Sequence, residues 1–565
     1  MKYYFALILL TLFAVNLVVA QSGKEADAAY EIQERVMIPT RSGVDIYSII
    51  ARKRSDSGPL PVVLFYTTYY QDKGDESIAK LAADKGYVGV VAYARGIRTD
   101  LKRYAPYEHE GTDVYDIIDW ISRQSWCNGS VGMYSGSYTG YSQWATAKNL
   151  HPALKTIVPQ VAVMPGYDMP MENNVQMNLG LYWPNDNIYK NPAIRRSLPF
   201  EWFEGGTSFR TMDKLAGIEN PIFQKWLQHP AYDDYWRSMV PTPEEYAKIN
   251  IPVLTTTGYY DGSQIGALQY FKLHNKYNKK ANHYFVIGPY DHWGGQRNAA
   301  KNLMGYEIDA VANISMRSLA FDWLDHILKG KPRPDLLKDK VNYQVMGTNE
   351  WRHAPSLDKT KNATLRLYLS DARSGDKYSL SDKRPNKAAL TQQVDLKDRQ
   401  NQNNYFTPNI IFESLDASNG LVFETQKFEN DFLLTGSFSG NLFATINKRD
   451  MDVSMALYEL LPDGKYFFLT RYVGRASYAK DDSRRQLLTP GRKESIPFSN
   501  TRFVSRKIST GSRLVILLNI NKHPFEIINY GPGKEVADET ISDAGEPLKI
   551  SWHGDSYIQI PIWKN

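Results

Sequence analysis

The sequence predicts an α/β core interrupted by a helical insertion and followed by a carboxyl-terminal all-β domain. Three observations carry this expectation. From Val36 to about Gln124, strand-like and helix-like segments alternate, as they do in a parallel sheet built from strand–helix–strand units. Between about His151 and Asn250 that rhythm stops, and Met, Trp, Tyr and Pro accumulate. Beyond about Trp351, short apolar segments recur between turn residues, the pattern of a β-sandwich. A chain of 565 residues exceeds what one hydrophobic core can serve, so a division into domains is required in any case.

Taken in order, the chain starts MKYYFALILLTLFAVNLVVAQSG, with Lys2, an apolar run and then Ala20 before polar residues. That order reads as a secretory signal peptide over residues 1–20 and predicts a periplasmic or secreted protein. The alternative is a membrane anchor, which the small and polar residues that follow disfavour; no later segment reads as a membrane span, so none is expected in the mature form. Residues 28–150 and 251–350 are assigned to the core. Residues 60–66 and 86–93 are continuous apolar runs, as strands covered on both faces require. Val114, Ile117, Ile118 and Ile121 fall at helical spacing, with Thr112 as the expected N-cap. Residues 130–134 form a further strand that runs into Ser137 and a helix-compatible stretch over 143–150. Residues 151–250 are expected to form the helical cap. The sheet pattern returns at 251–258 and 283–288, followed by a helix over 315–328. Residues 351–565 are expected to form the β-sandwich, with Pro462-Asp463-Gly464 as one of its turns.

Composition narrows the function classes. The hydrophobic and aromatic fractions, 42% and 13%, are those of a packed globular protein. The formal charge of +6 is small for this length and forms no basic run, so nucleic acid is not an expected partner. With one cysteine, Cys127, no internal disulfide is available. No metal-ligand spacing, phosphate loop or dinucleotide fingerprint occurs, so no cofactor is expected.

The chemistry concentrates in residues 130–140, SVGMYSGSYTG. A strand that ends in a serine among small residues and leads into a helix is what a nucleophile elbow needs, and it marks an α/β-hydrolase core. Ser137 stands at the turn, with Gly136 before it and Gly140 beyond, whereas Ser135 and Ser142 are its neighbours on the two elements. A hydroxyl needs a base to take its proton, and in this fold acid and base follow the serine in that order. Asp261 follows the strand at 251–258 and His292 follows the strand at 283–288, so both fall at the sheet edge that carries Ser137. Asp291 is a rival acid, but adjacent residues rarely orient one another's rings. For the oxyanion, the backbone N–H of Tyr138 is one donor by construction of the elbow, and the hydroxyl of Tyr69 or Tyr70 is the candidate second.

These motifs together carry a resemblance. Residues 87–96, the run from Asp116 to Gly140, GYYDG around Asp261 and GPYDH ending at His292 resemble the family of bacterial cocaine esterase, α-amino-acid ester hydrolases, glutaryl acylases and X-Pro dipeptidyl-peptidases. Residues 229–236, 461–464, 473–477 and 519–533 extend the likeness over nearly the whole mature chain. The resemblance implies an α/β-hydrolase core, a helical cap and a jelly-roll domain similar to a galactose-binding fold. It implies a triad at Ser137, Asp261 and His292 and an oxyanion tyrosine at Tyr69. Three positions depart from the family pattern: Ser135 replaces a glycine, Thr67-Thr68-Tyr69 replaces a threonine-proline-tyrosine element, and Tyr93 replaces an aspartate. The expected activity is hydrolysis of a carboxylic ester or acyl amide on a small-molecule, peptide or acylated substrate. An X-Pro exopeptidase is the first alternative and requires a negative site for a free amine. A non-catalytic carbohydrate-binding protein on a hydrolase scaffold is the second, and loss of a triad residue, which would favour it, is not seen.

Overall fold

The computed structural model describes residues 28–71, 74–385, 389–402 and 409–564. The signal-peptide expectation for residues 1–20 lies outside them.

Ten strands of the described residues form the core sheet: β1 (Tyr30–Pro39), β2 (Asp45–Lys53), β3 (Leu60–Thr67), β4 (Val88–Tyr93), β5 (Cys127–Gly136), β6 (Leu154–Gln160), β7 (Val253–Gly258), β8 (His283–Gly288), β9 (Val341–Val345) and β10 (Glu350–Ala354). Their order across the sheet is β1-β2-β4-β3-β5-β6-β7-β8-β9-β10. The pairs β1–β2, β2–β4 and β9–β10 are antiparallel and the remaining neighbours are parallel. Strands β4, β7 and β8 are buried at every position, which is why β4 reads as an unbroken apolar run and none of the three carries a carboxylate, lysine or arginine, while half of the edge strand β1 is exposed.

Helices α1 (Asp75–Asp84), α2 (Glu110–Ser122), α3 (Tyr138–Ala147), α4 (Gln264–Tyr277) and α5 (Met316–Lys329) cover the sheet. Glycine sets the closest approaches: a Cβ on Gly89 of β4 would lie 2.1 Å from Ala79 O of α1. Helix α2 starts earlier than the sequence suggests. Its N-cap is His109, and Thr112 sits inside the first turn with its Oγ1 bonded back to His109 O at 2.9 Å. The Glu110 carboxylate, which accepts from the N–H groups of Tyr107 and His109, organises this end of the helix instead.

The insertion also begins later than expected. Residues 154–160 are β6, a central strand between β5 and β7. Lys155 and Pro159 within LKTIVPQ hid it, because proline argues against a central strand. Beyond it, residues 171–248 form short helices, among them Leu179–Pro184, Leu198–Gly205 and Pro243–Lys248, and a small hairpin of Met171–Glu172 with Val175–Gln176. At the other boundary, β10 runs across residue 350, so the core sheet ends at Ala354.

Residues 363–563 form the all-β domain, mostly of antiparallel pairs. It is tied to the core by backbone bonds from Met346 N to Ser505 O and from Lys507 N to Met346 O, each 3.0 Å. One continuous apolar cluster runs from the core strand β8 through Tyr343 and Val345 into Phe503 and Val504 of the β domain. Among the described residues no helix is long and apolar enough to cross a membrane.

Candidate active site

The parallel strands β3, β5, β7 and β8 end at one edge of the sheet, and Tyr69, Ser137, Asp261 and His292 follow those four ends within four residues. Open α/β sheets bind ligands at this edge.

Strand β5 passes directly into α3 through Ser137, whose backbone (φ 63°, ψ −127°) lies outside the regions normal for a non-glycine residue. The turn is held from below, because Ser137 N–H donates to Gln160 O (3.1 Å) and Val161 O (3.2 Å) at the end of β6. Gly140 lets α3 settle there: a Cβ on it would stand 2.8 Å from Gln160 O and 2.9 Å from Ala162 Cα. Ser135 also has positive φ, 113°, so this serine occupies a glycine-type conformation. Ser142 is buried in α3 with its hydroxyl on Thr139 O, away from the turn.

Asp261 is fully buried, and each of its carboxylate oxygens is occupied. Oδ2 accepts from the Thr257 hydroxyl (2.7 Å), and Oδ1 accepts from Ser263 N–H (2.9 Å) and lies 2.7 Å from His292 Nδ1. A carboxylate on Nδ1 fixes the proton there and leaves Nε2 as the basic ring nitrogen. Burial disfavours the His292 imidazolium, but the charge and hydrogen bond of Asp261 outweigh it and raise the pKa above the ordinary histidine value. Asp291, the rival acid, instead accepts from the N–H groups of Trp293 (3.1 Å) and Gly294 (2.7 Å) and shapes the loop.

Gln296 brings the histidine loop to the elbow. Its Nε2 donates to His292 O at 2.9 Å, and its side chain packs so closely on Gly136 that a Cβ there would lie 2.5 Å from Gln296 Oε1. Among the described residues no hydrogen bond closes between His292 and Ser137; such bonds are often long without substrate.

Ser137 Oγ accepts instead from the Tyr69 hydroxyl at 3.3 Å. The missing proline before Tyr69 is compensated by Thr67, whose Oγ1 accepts Tyr69 N–H at 3.0 Å and orders the turn. The Tyr69 oxygen accepts from the Trp183 indole N–H at 3.2 Å, and the Tyr69 ring packs edge-on against that of Tyr138, centroids 6.3 Å apart. Tyr69 thus stands beside Ser137, whose next residue in the chain is Tyr138. Burial raises the Tyr69 pKa, which keeps the hydroxyl protonated as a donor. Tyr70 turns away and packs its ring under Lys190 (3.9 Å) and Arg98 (5.6 Å). Tyr93 donates to Asp75, which also accepts from Arg98, so a tyrosine–aspartate–arginine cluster stands at that departure from the family pattern.

Other residues entered the site without a sequence signal. Trp183, one of the aromatics of the insertion, stacks on Tyr107 and Tyr138 with both centroids at 5.7 Å and so packs beside the elbow. Glu110 accepts a hydrogen bond from the Tyr138 hydroxyl beneath the elbow, and burial pushes its carboxyl up to about 7. Among the described residues no cluster of three or more His, Cys, Asp and Glu could hold a metal ion.

Residues 42–294 match the family described as X-Pro dipeptidyl-peptidase (S15 family), and residues 337–512 match the X-Pro dipeptidyl-peptidase C-terminal non-catalytic domain. The chain is 23% identical to the cocaine esterase of Rhodococcus sp. (strain MB1 Bresler) over 587 residues, covering 95% of this chain and 100% of the relative. In fold it is similar to an aminopeptidase from a marine sediment Thaumarchaeota archaeon (TM-score 0.79, 20% identity, 95% and 97% of the two chains). It is similar in the same way to an α-amino acid ester hydrolase (TM-score 0.77, 19% identity, 94% and 97%). The two matched domains together span most of the chain, and a relative aligns with 95% of it, which leads to one assignment: the chain belongs to the serine hydrolase family of the S15 X-Pro dipeptidyl-peptidases and cocaine esterase.

Proposed function

We propose that this serine hydrolase cleaves carboxylic esters or acyl amides through an acyl-enzyme on Ser137, and that it is exported by its amino-terminal segment. The observation that carries the reading is the pairing of His292 with buried Asp261 beside an elbow whose serine oxygen already contacts the Tyr69 hydroxyl. Ser137 attacks the acyl carbonyl while His292 Nε2 takes its proton, and Asp261 holds the ring and stabilises the imidazolium. The Tyr69 hydroxyl and the Tyr138 N–H receive the oxyanion. His292 returns the proton to the leaving group, and water then repeats the sequence to free the acid.

The exopeptidase alternative requires a carboxylate for a free amine. After Asp261 the chain has Gly262, Ser263 and Gln264, none of them acidic. Of the insertion's carboxylates near that loop, Asp168 is taken by the N–H groups of Met164 and Gly266, each at 2.7 Å, and Glu172 is bound by Arg502 through two bonds of 2.9 and 2.6 Å, while Arg502 also reaches Gly262 O at 3.3 Å. A guanidinium in that place repels an ammonium group, which favours acyl substrates without a free α-amine. The test is a fluorophosphonate probe, expected to label Ser137 in the wild type, with neither labelling nor turnover in Ser137→Ala. Labelling at Ser135 would overturn the assignment.

A further inference from the structure

Away from Ser137, the hairpin of Met171–Glu172 and Val175–Gln176 reaches into the β domain. Asn173 and Asn174 at its tip have φ of 47° and 65°, the two positive dihedrals that a type I′ turn requires. Their amides are committed to the fold. Asn173 Nδ2 donates to Val473 O (2.9 Å), Asn174 Nδ2 donates to Pro230 O (3.1 Å) and Asp482 O (2.9 Å), and Asn500 Nδ2 donates to Asn173 Oδ1 (2.9 Å). Arg475 beside them is buried in a two-bond pair with Asp452, each bond 2.9 Å. Together they fix part of the wall of a cavity of about 700 Å³ between cap and β domain, within the size range of small-ligand sites. Ser137, Asp261, His292 and Tyr69 do not line it.

Other lining groups are uncommitted. The hydroxyls of Tyr167, Tyr232, Tyr472 and Tyr478, the Asp482 carboxylate and the Gln559 amide belong to residues lining this one space, and none makes a hydrogen bond to another described side chain or backbone group. So many unpaired polar groups around one cavity call for water or for a ligand rich in hydrogen-bonding groups.

Charge narrows the ligand. Arg475 is neutralised by Asp452, Lys480 lies 3.7 Å from Glu494, and Asp481 accepts from the N–H and hydroxyl of Ser483. Among the described lining residues that leaves the carboxylates of Asp481 and Asp482, both within the field of Arg237, and no unpaired cation to hold an anion. A small cation finds the Tyr232 ring already faced by Arg237 at 5.7 Å. An apolar ligand would strand the hydroxyls without partners. What fits is an uncharged molecule with many hydroxyls and apolar ring faces: its hydroxyls pair with the tyrosines, Asp482 and Gln559, and its C–H faces lie against tyrosine rings such as the edge-on pair Tyr167 and Tyr232, 5.5 Å apart. We propose that this cavity is a binding site for a neutral oligosaccharide, separate from the hydrolytic centre.

Calorimetric titration of the full-length protein with xylotriose, cellotriose, mannotriose and chitotriose tests it. At least one is expected to bind with a Kd of about 1 mM or tighter. Ser137→Ala should bind it equally well, whereas Tyr232→Phe and Asp482→Asn, each removing one hydrogen-bonding or charged group and verified as folded by an unchanged melting temperature, should each weaken it by about fivefold or more. Absence of binding by all four would mean a cavity that holds only water and would overturn the proposal. So would binding that both variants leave intact, or tighter binding of an acidic trisaccharide or of tetramethylammonium.

Discussion

Ser135 stands two residues before Ser137 with φ 113°, a conformation that glycine adopts freely and serine does not. Held strain of this kind costs of order 1–3 kcal/mol, of which glycine's greater freedom in the unfolded chain would take back part. Ser135→Gly is therefore expected to stabilise the protein by about 1 kcal/mol with turnover retained, read from denaturant unfolding; a loss of stability would show that the Ser135 side chain is itself needed. His292 must be neutral to accept a proton, and its pKa is raised above the ordinary value of about 6.5. As pH falls through that raised pKa the imidazolium forms and kcat/KM drops, so the acid limb should lie above about pH 6.5. Glu110, pushed up to about 7, titrates in the same window, so the discriminating variant is Asp261→Asn. Removing that charge should move the limb to lower pH and cut kcat by roughly 10⁴-fold. A limb that stays in place would assign it to Glu110. For the oxyanion, Tyr69→Phe should lower kcat by about 10²-fold or more, roughly 3 kcal/mol, while Tyr70→Phe, whose ring faces Lys190 and Arg98, should leave it unchanged.

Between β7 and α4, the loop that carries Asp261 is clamped by the β domain. Gln264 is buried, its Nε2 donates to Gly258 O (2.9 Å) and Phe503 O (3.0 Å), and its Oε1 accepts Phe503 N–H (2.6 Å), so one side-chain amide pairs with a strand as another strand would. Tyr260 adds a bond of 3.0 Å from its hydroxyl to Phe468 O. Gln264→Ala leaves the Phe503 N–H and C=O without these partners inside the protein. The expected cost is about 3 kcal/mol, with kcat falling as Asp261 loses its fixed position. Urea unfolding and kcat measured on the same preparation check this; an unchanged kcat would show that Thr257 and Ser263 hold the aspartate unaided.

Across the whole molecule, cap and β domain meet at the Glu172–Arg502 pair next to the acid loop, and that pair bears on substrate choice. Acyl esters are expected to be hydrolysed with higher kcat/KM than matched substrates with a free α-amine, X-Pro anilides included. Both series measured at one pH decide it, and a tenfold preference for the amine series would restore the exopeptidase reading. No residue of the pair lies within 300 positions of its partner along the chain, so the contact is invisible to any local reading.

What the sequence by itself determined is what local chemistry encodes. The unbroken apolar runs of β3 and β4, the helical spacing in α2, the serine between Gly136 and Gly140, and the order of Ser137, Asp261 and His292 were all legible, because periodicity and turn chemistry act within a few residues. The strand β6 was not, since Pro159 and Lys155 mask a segment whose place is set by neighbours on both sides. The resemblance pointed to Tyr69, but the tertiary structure alone decided that Trp183 donates to the Tyr69 hydroxyl beside Ser137, that Glu110 sits beneath the elbow, and that Gln264 and Arg502 bind the acid loop across domains. These contacts form when distant segments pack together, and a hydrogen bond between residues hundreds of positions apart leaves no pattern in the order of amino acids.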